Sequence, residues 1–430
     1  MLKEIHNPVL KEYVRQYRDI YDSFTDQVEQ FGLPFAENRE AEIAELRKAL
    51  SDAGVTVRNE GASLVHGEVC GACAACRTGV NSYTGILSLM CHRNCFFCFN
   101  PNQEEFENYS SAMKDWEREL RKLYRQNPQM EYIALTGGEP LLHRDECIAF
   151  FRTARSLWPN ASLRLYTSGD LLDESTLNEL REAGVEEIRF SIKPDEEPER
   201  GERVWRNMAL AKEVVPHVLV EMPVMPDAEE QMHEILKRLE EMGVYGINLL
   251  ELCFPYNNAE AFRKRGYALR YPPYRTLYNF WYAGGLPIDG SEILALKLLL
   301  ETAKNNSRLN VHYCSLENKH FGQVYQQNLG AADSDPTFVM SGKDFYLKTV
   351  KAFGKDAAEA ERLFRAKHRT DWCRERDFVR CSPECATLLR KKDMELGISS
   401  CIREFREGES VIRELRIDPI AAADFDEELI

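Results

Sequence analysis

The chain has 430 residues, 44% of them hydrophobic, with a formal net charge of −15 and a pI near 5.3. That size supports a large core, enough for one catalytic domain with one or two smaller ones, and the acidic balance without a Lys/Arg run argues against a nucleic-acid partner. The charged start Met1-Leu2-Lys3-Glu4-Ile5-His6, and the lack of any window of about eighteen uncharged apolar residues, predict neither a signal peptide nor a membrane span, and hence a cytoplasmic protein.

Residues 1–66 read as a helical cap. Val9, Tyr13, Tyr17, Ile20 and Tyr21 recur at helical spacing, and Glu40 to Leu50 form a second amphipathic segment. Alternation in Val55-Thr56-Val57-Arg58 and in Ser63-Leu64-Val65-His66, around Glu60-Gly61, predicts a hairpin. Residues 67–82 are cysteine-rich. From Tyr83 to residue 315 strand and helix patterns alternate, with strands expected over 85–90, 132–135, 162–166, 187–192, 217–224, 245–252 and 309–313. Charged helical stretches separate them, which implies parallel pairing with right-handed crossovers.

An aromatic segment follows the sixth strand: Tyr256, Tyr267, Tyr271, Tyr274, Tyr278, Phe280, Trp281 and Tyr282, punctuated by Pro272-Pro273 and Gly284-Gly285. Aromatic side chains are core-formers, so burial against the strands is the first expectation and closure over their ends the second. Residues 316–430 read as a mainly helical extension that carries cysteines and ends in a solvated acidic tail over 424–428.

The thirteen cysteines are grouped. Cys91, Cys95 and Cys98 form C-x3-C-x2-C just past the first strand. Three thiolates at that spacing suit three irons of a 4Fe-4S cluster and leave the fourth iron open to a small molecule. Zinc would need a fourth ligand; His92 is adjacent, but its place inside the array does not suit a simple tetrahedral arrangement. The strand Tyr132-Ile133-Ala134-Leu135 runs into Thr136-Gly137-Gly138-Glu139-Pro140, where two glycines let the backbone approach a ligand.

Together these motifs resemble the radical S-adenosylmethionine (radical SAM) superfamily, with Phe97 as the aromatic residue before the third cysteine. The resemblance covers about residues 83–315 and implies a partial (β/α)6 barrel. It also implies S-adenosylmethionine chelated to the open iron, reductive cleavage to a 5′-deoxyadenosyl radical, and hydrogen abstraction from a substrate. Gly137, Gly138 and Glu139 would receive the methionine amino group. Ser168, in Tyr166-Thr167-Ser168-Gly169-Asp170, stands where the family has asparagine; Ser191 matches a ribose- or carboxylate-contacting position. Lys193 replaces a common acidic residue and is a candidate carboxylate ligand, with Arg203 and Arg206 behind it. Glu251 closes a segment that resembles an adenine-contacting strand, and Phe97 is a candidate for the other adenine face.

Two further cysteine groups stand outside the resemblance. Cys70, Cys73 and Cys76 form C-x2-C-x2-C, and Cys373, Cys381, Cys385 and Cys401 cluster near the other end. Such spacing predicts one or two auxiliary 4Fe-4S clusters, with structural zinc as the alternative. The triad would either recruit a distant fourth ligand such as Cys373 or leave the second group to make its own site. Cys147 and Cys253 read as buried apolar residues. Cys314, at the end of the last barrel strand, is a candidate catalytic residue that would donate or relay a hydrogen atom.

The expected function is therefore a radical SAM enzyme acting on a peptide or metabolite, with a flavodoxin- or ferredoxin-type electron donor and neither nucleic acid nor membrane as partner. The alternatives are an activating enzyme for a glycyl-radical enzyme and a zinc- or iron-sulfur-binding structural or electron-transfer protein.

Overall fold

The computed structural model describes residues 4–194, 196–276, 278 and 285–430. They fall into two compact units, one made of residues 33–273 and 281–319, the other of residues 1–32, 274–280 and 320–430.

The first unit is built on one sheet. Its strands are β1 (Thr56–Arg58), β2 (Ser63–His66), β3 (Ser82–Ile86), β4 (Tyr132–Thr136), β5 (Ser162–Thr167), β6 (Val185–Phe190), β7 (His217–Val224) and β8 (Gly246–Glu251). The short pair β9 (Cys253–Phe254) and β10 (Leu286–Pro287) stands apart, and β11 (Asn310–Cys314) completes the set. The strand order is β1-β2-β11-β8-β7-β6-β5-β4-β3. β3 to β8 and β11 run parallel, whereas the hairpin β1–β2 adds antiparallel to β11. These parallel strands are the seven expected, and the sheet stays open between its β3 and β1 edges as a partial barrel. The first strand stops at Ile86 rather than Met90. The carbonyls of Leu87, Ser88 and Met90 bond outside the sheet, Leu87 O accepting from Lys114 N at 2.7 Å.

Alternation along these strands makes two faces. One is apolar and takes the helices: Leu163, Leu165, Ile188, Phe190, Val220, Met222, Ile247, Leu249 and Val311 are at most 1% exposed. The other face carries a polar row that crosses five strands at one level, Arg164, Glu187 and Arg189, Glu221, Asn248 and His312. Arg189 Nε donates to Glu187 Oε1 at 2.6 Å and Nη1 to Glu221 Oε2 at 2.5 Å. Asn248 Nδ2 donates to Glu221 at 2.7 Å, and its Oδ1 lies 3.0 Å from His312 Nδ1. Ser63 Oγ of β2 closes the row at 2.9 Å from His312 Nε2. Arg189, Glu221, Asn248 and His312 are thus each met by a group on a neighbouring strand, and Arg164 pairs with Glu187 at 3.6 Å, which is the condition for keeping charges inside.

In the second unit the extension departs from expectation. It is not mainly helical: β12 (Val339–Met340), β13 (Leu347–Phe353), β14 (Trp372–Arg374), β15 (Phe378–Cys381), β16 (Glu395–Arg406) and β17 (Glu409–Ala421) form an antiparallel sheet. The charge-rich run 403–416 imitates a helix surface. Glu407 and Gly408, with φ of 50° and 87°, instead make the two-residue turn that matches strand twist and fold it into a long hairpin. The tail is not solvated throughout, since Phe425 is fully buried beneath the same sheet's core.

The helix Pro8–Glu29 belongs to this unit. Asn7 Oδ1 caps it by accepting from Val9 N and Leu10 N at 3.1 and 3.2 Å, with proline in the first turn. Val9, Tyr13 and Tyr17 pack on Phe353 and Ile417, whereas Ile20 is 61% exposed. The second helix, Glu40–Asp52, belongs to the barrel unit. Of the aromatic segment, Tyr267 and Tyr274 are buried, while Phe280, Trp281, Tyr282 and Gly284 lie outside the described residues.

Candidate active site

The cysteine loop leaves the carboxyl end of β3 and is clamped to the turn that leaves β4. Gly138 N donates to Ser88 O at 3.0 Å and Glu139 N to Met90 O at 2.8 Å. This contact explains both glycines. Gly137 has φ of +126°, and a Cβ at Gly138 would stand 1.8 Å from Met90 O. Asn100 Nδ2, just past the loop, donates to Gly137 O at 2.7 Å.

On the loop, Cys91 is exposed and Cys95 and Cys98 are half-buried. Arg93 N donates to Cys91 Sγ at 3.4 Å, and Cys98 N to Cys95 O at 3.1 Å. Burial pushes the Cys91 and Cys98 thiols up, the neighbouring thiols add to this, and the Lys193 ammonium pulls both down. The three cysteines and Lys193 are therefore within electrostatic reach of one another. Among the described residues no three His, Cys, Asp or Glu side chains converge on a single point as one ion requires. A polynuclear cluster holds its thiolates around a larger body, and three close thiols on an open loop fit a 4Fe-4S group with one iron free.

Glu139 is 2% exposed. Its carboxylate accepts from Thr167 Oγ1 and Ser168 N at 2.7 Å each and from Leu141 N at 3.1 Å, and it lies 2.7 Å from Ser168 Oγ. Its lone pairs are taken up by the chain itself, so the turn presents backbone rather than a free carboxylate. Ser168 Oγ also lies 2.6 Å from Asp170 Oδ1, and Asp170 Oδ2 lies 2.9 Å from His92 Nε2. Arg93 pairs with Asp170 at 3.3 Å and with Glu196. Burial, which would raise the Asp170 carboxyl, is outweighed by the Ser168 and His92 hydrogen bonds and the Arg93 charge, which hold it at about 2. The β4 turn, the end of β5 and the cysteine loop are thus one hydrogen-bonded unit.

Of the other candidates, Ser191 follows β6 and its N donates to Thr167 O at 3.0 Å. Phe97 is half-buried, edge-on to Phe96 with ring centroids 5.2 Å apart. Arg203 and Arg206 are exposed on the helix Pro198–Val214. Glu251 lies on the helix-covered side of the sheet, where its carboxylate meets Arg270 Nη1 at 2.8 Å and accepts from Leu316 N at 2.9 Å. Burial pushes it up to about 7, against the pull of Arg270. The sequence alone does not mark Arg93, Thr167, Asp170 and Glu196 as site residues, and it raises His92 only beside a zinc alternative; the charged pair inside the cysteine array and the acid two residues past Ser168 are the available signal.

The auxiliary cysteines separate. Cys70 and Cys76 cap the helix Gly71–Ala75 and Cys73 lies within it; the helix meets the polar row, where Arg189 Nη2 donates to Cys70 Sγ at 2.8 Å and to Cys73 Sγ at 3.3 Å. Cys314 is buried at the end of β11 and accepts from Asn318 Nδ2 at 3.2 Å. In the second unit, Cys381 and Cys385 share one core and Cys373 adds to the forces that raise the Cys381 thiol, after burial and the Cys385 contact. Cys401 stands in a different core, with Phe338 and Leu347.

Residues 86–239 match the family model described as the Radical SAM superfamily. A Methanocaldococcus jannaschii protein, provisionally named a glycyl-radical enzyme activating enzyme, is 26% identical over 236 residues, which cover 52% of this chain and 58% of that protein. The PqqA peptide cyclase of Granulibacter bethesdensis is 31% identical over 126 residues, 28% of this chain and 31% of the relative. Aligned segments therefore span little more than half of the one relative's length and about a third of the other's. Among solved structures, SuiB of Streptococcus suis bound to S-adenosylmethionine is similar with a TM-score of 0.41 and 14% identity, over 69% of this chain and 60% of that one. The family match falls on the strands, cysteine loop and glycine turn described above, so residues 86–239 form a radical SAM domain.

Proposed function

We propose that this protein reductively cleaves S-adenosylmethionine and directs the resulting radical at a polypeptide. Cys91, Cys95 and Cys98 would hold the 4Fe-4S cluster. When bound, that cluster supplies the electron that splits the carbon–sulfur bond and yields a 5′-deoxyadenosyl radical able to take a hydrogen atom. The observation that carries the reading is the pair of backbone hydrogen bonds, 3.0 and 2.8 Å, that fix the glycine turn against the cysteine loop. A ligand bridging a loop-held iron and the turn would meet both at a set separation, which is the positioning such chemistry needs.

The chain's own groups have separable tasks. Glu139, anchored by Thr167 and Ser168, stiffens the turn; Asp170, His92 and Arg93 tie the loop to β5. Lys193 supplies a positive charge beside the thiols and is suited to an anionic group of the ligand. Peptide or protein targets are favoured because both relatives are named for one, a glycyl-radical enzyme in the first and the PqqA peptide in the second. The first relative also supports a second reading, activation of a glycyl-radical partner. A ferredoxin- or flavodoxin-type donor in the cytoplasm would provide the electron, and an auxiliary cluster would hold substrate or accept an electron.

The test is 5′-deoxyadenosine release from S-adenosylmethionine by dithionite-reduced, anaerobically purified protein. Wild type is expected to form it and the C91A/C95A/C98A variant to form none. Wild type that carries its full iron and forms none overturns the reading.

A further inference from the structure

We propose that Cys314 completes, with Cys70, Cys73 and Cys76, the four-thiolate ligand set of a second iron-sulfur cluster seated on the polar row of the barrel. This deepens the reading above, on which it rests only for the expectation of an auxiliary cluster; its ligands are separate from Cys91, Cys95 and Cys98.

Spacing comes first. C-x2-C-x2-C with a remote fourth cysteine is the ligand arrangement of one 4Fe-4S cluster in bacterial-type ferredoxins. Here a one-turn helix, Gly71–Ala75, sets the three thiols at i, i+3 and i+6 on one side, with Cys70 Sγ accepting from Cys73 N at 3.4 Å.

The surroundings of the sulfurs point the same way. Four N–H contacts from three side chains on separate elements are aimed at them. Arg189 Nη2 reaches Cys70 and Cys73 at 2.8 and 3.3 Å, Asn248 Nδ2 reaches Cys73 at 3.4 Å, and Asn318 Nδ2 reaches Cys314 at 3.2 Å. A cysteine packed for burial alone has no need of such donors, whereas anionic sulfur does, and donors of this kind orient ligands and tune their potential.

The fourth member follows from register. His312 and Cys314 lie on the same face of β11, two residues or about 7 Å apart. His312 joins Asn248 at 3.0 Å, and Asn248 joins Cys73 at 3.4 Å. Cys314 consequently stands one step beyond the triad on the same surface, within electrostatic reach of both Cys73 and Cys76. Arg189, Arg164 and Lys319 put three positive charges around the thiols against the two carboxylates of Glu187 and Glu221, a balance that favours a net-anionic cluster. Four protein thiolates leave no iron open, so this site takes up and releases single electrons without binding a ligand itself.

The experiment removes the first cluster and counts what remains. Anaerobically reconstituted C91A/C95A/C98A protein is expected to keep roughly four irons and four sulfides per chain, with an electron paramagnetic resonance signal on reduction. Adding C314S should lower the iron count or convert the signal to that of a three-iron cluster, while C401S or C373S in its place should change neither. No iron in the triple variant, zinc in its place, a signal indifferent to C314S, or iron lost equally with C373S would each overturn the assignment. Should C314S lose its circular dichroism spectrum, N318L in the triple background reads the same contact, and an unshifted reduction potential there counts against it. Wild-type 5′-deoxyadenosine formation is scored separately, so failure of the radical reading and failure of this site are distinguishable.

Discussion

Replacing Gly138 by alanine tests the clamp on which the active-site reading depends. The new Cβ would lie 1.8 Å from Met90 O and 2.7 Å from Leu89 C, both backbone atoms, and separations under 3.0 Å are essentially never seen. The turn and the loop must therefore part by about 1.2 Å, and neither neighbour is a flexible side chain that could swing aside. Overpacking of this kind costs about 1–3 kcal/mol, and the two hydrogen bonds of 3.0 and 2.8 Å go with it. A displacement of roughly 1 Å between groups that hold one ligand costs about a hundredfold in rate. The expected outcome is a loss of that order in 5′-deoxyadenosine formation, with iron bound at Cys91, Cys95 and Cys98 retained because the thiols themselves are untouched. The measurement is 5′-deoxyadenosine per chain per minute beside iron content. Activity within threefold of wild type in the folded variant refutes the reasoning, since it would mean that the contact sets no distance that matters.

Two further outcomes follow from buried acids. E139Q turns one acceptor of the anchoring carboxylate into a donor facing Thr167 Oγ1 or Ser168 N, which should cost about 1.5–3 kcal/mol and lower the Tm; an unchanged Tm would show that the carboxylate is not the anchor. Glu251, pushed up by burial to about 7, contributes stability that is complete below its unfolded value near 4.5 and is lost as pH rises through about 7. Urea midpoints between pH 5 and 7.5 should accordingly fall more steeply for wild type than for E251Q, and parallel curves would dismiss the effect.

The barrel was legible because β4 to β8 and β11 carry buried apolar residues at alternate positions and charged helical stretches separate one strand from the next. The two motifs were legible for another reason: both depend on backbone and thiol chemistry that few residue types supply. The extension was not, because in 403–416 nearly every residue is charged or bracketed by charge, and a two-sided polar hairpin carries no period to detect. The Glu139–Ser168–Asp170–His92 chain was hidden since its members come from three segments that only the sheet order brings together. Cys401 was grouped by sequence nearness with Cys381 and Cys385, yet its place on β16 opposite Leu347 puts it in another core.

The cap residue of the first long helix is bonded to Phe353 O, 346 positions downstream. At ordinary translation speeds of about 5–20 residues per second, that segment leaves the ribosome tens of seconds before its partner strand exists. Val9, Tyr13 and Tyr17 must spend the interval uncovered, so nascent chains should depend on a holding chaperone. A truncation stripping the leading thirty residues should betray itself by aggregation through the orphaned β13 surface rather than by any defect in the barrel.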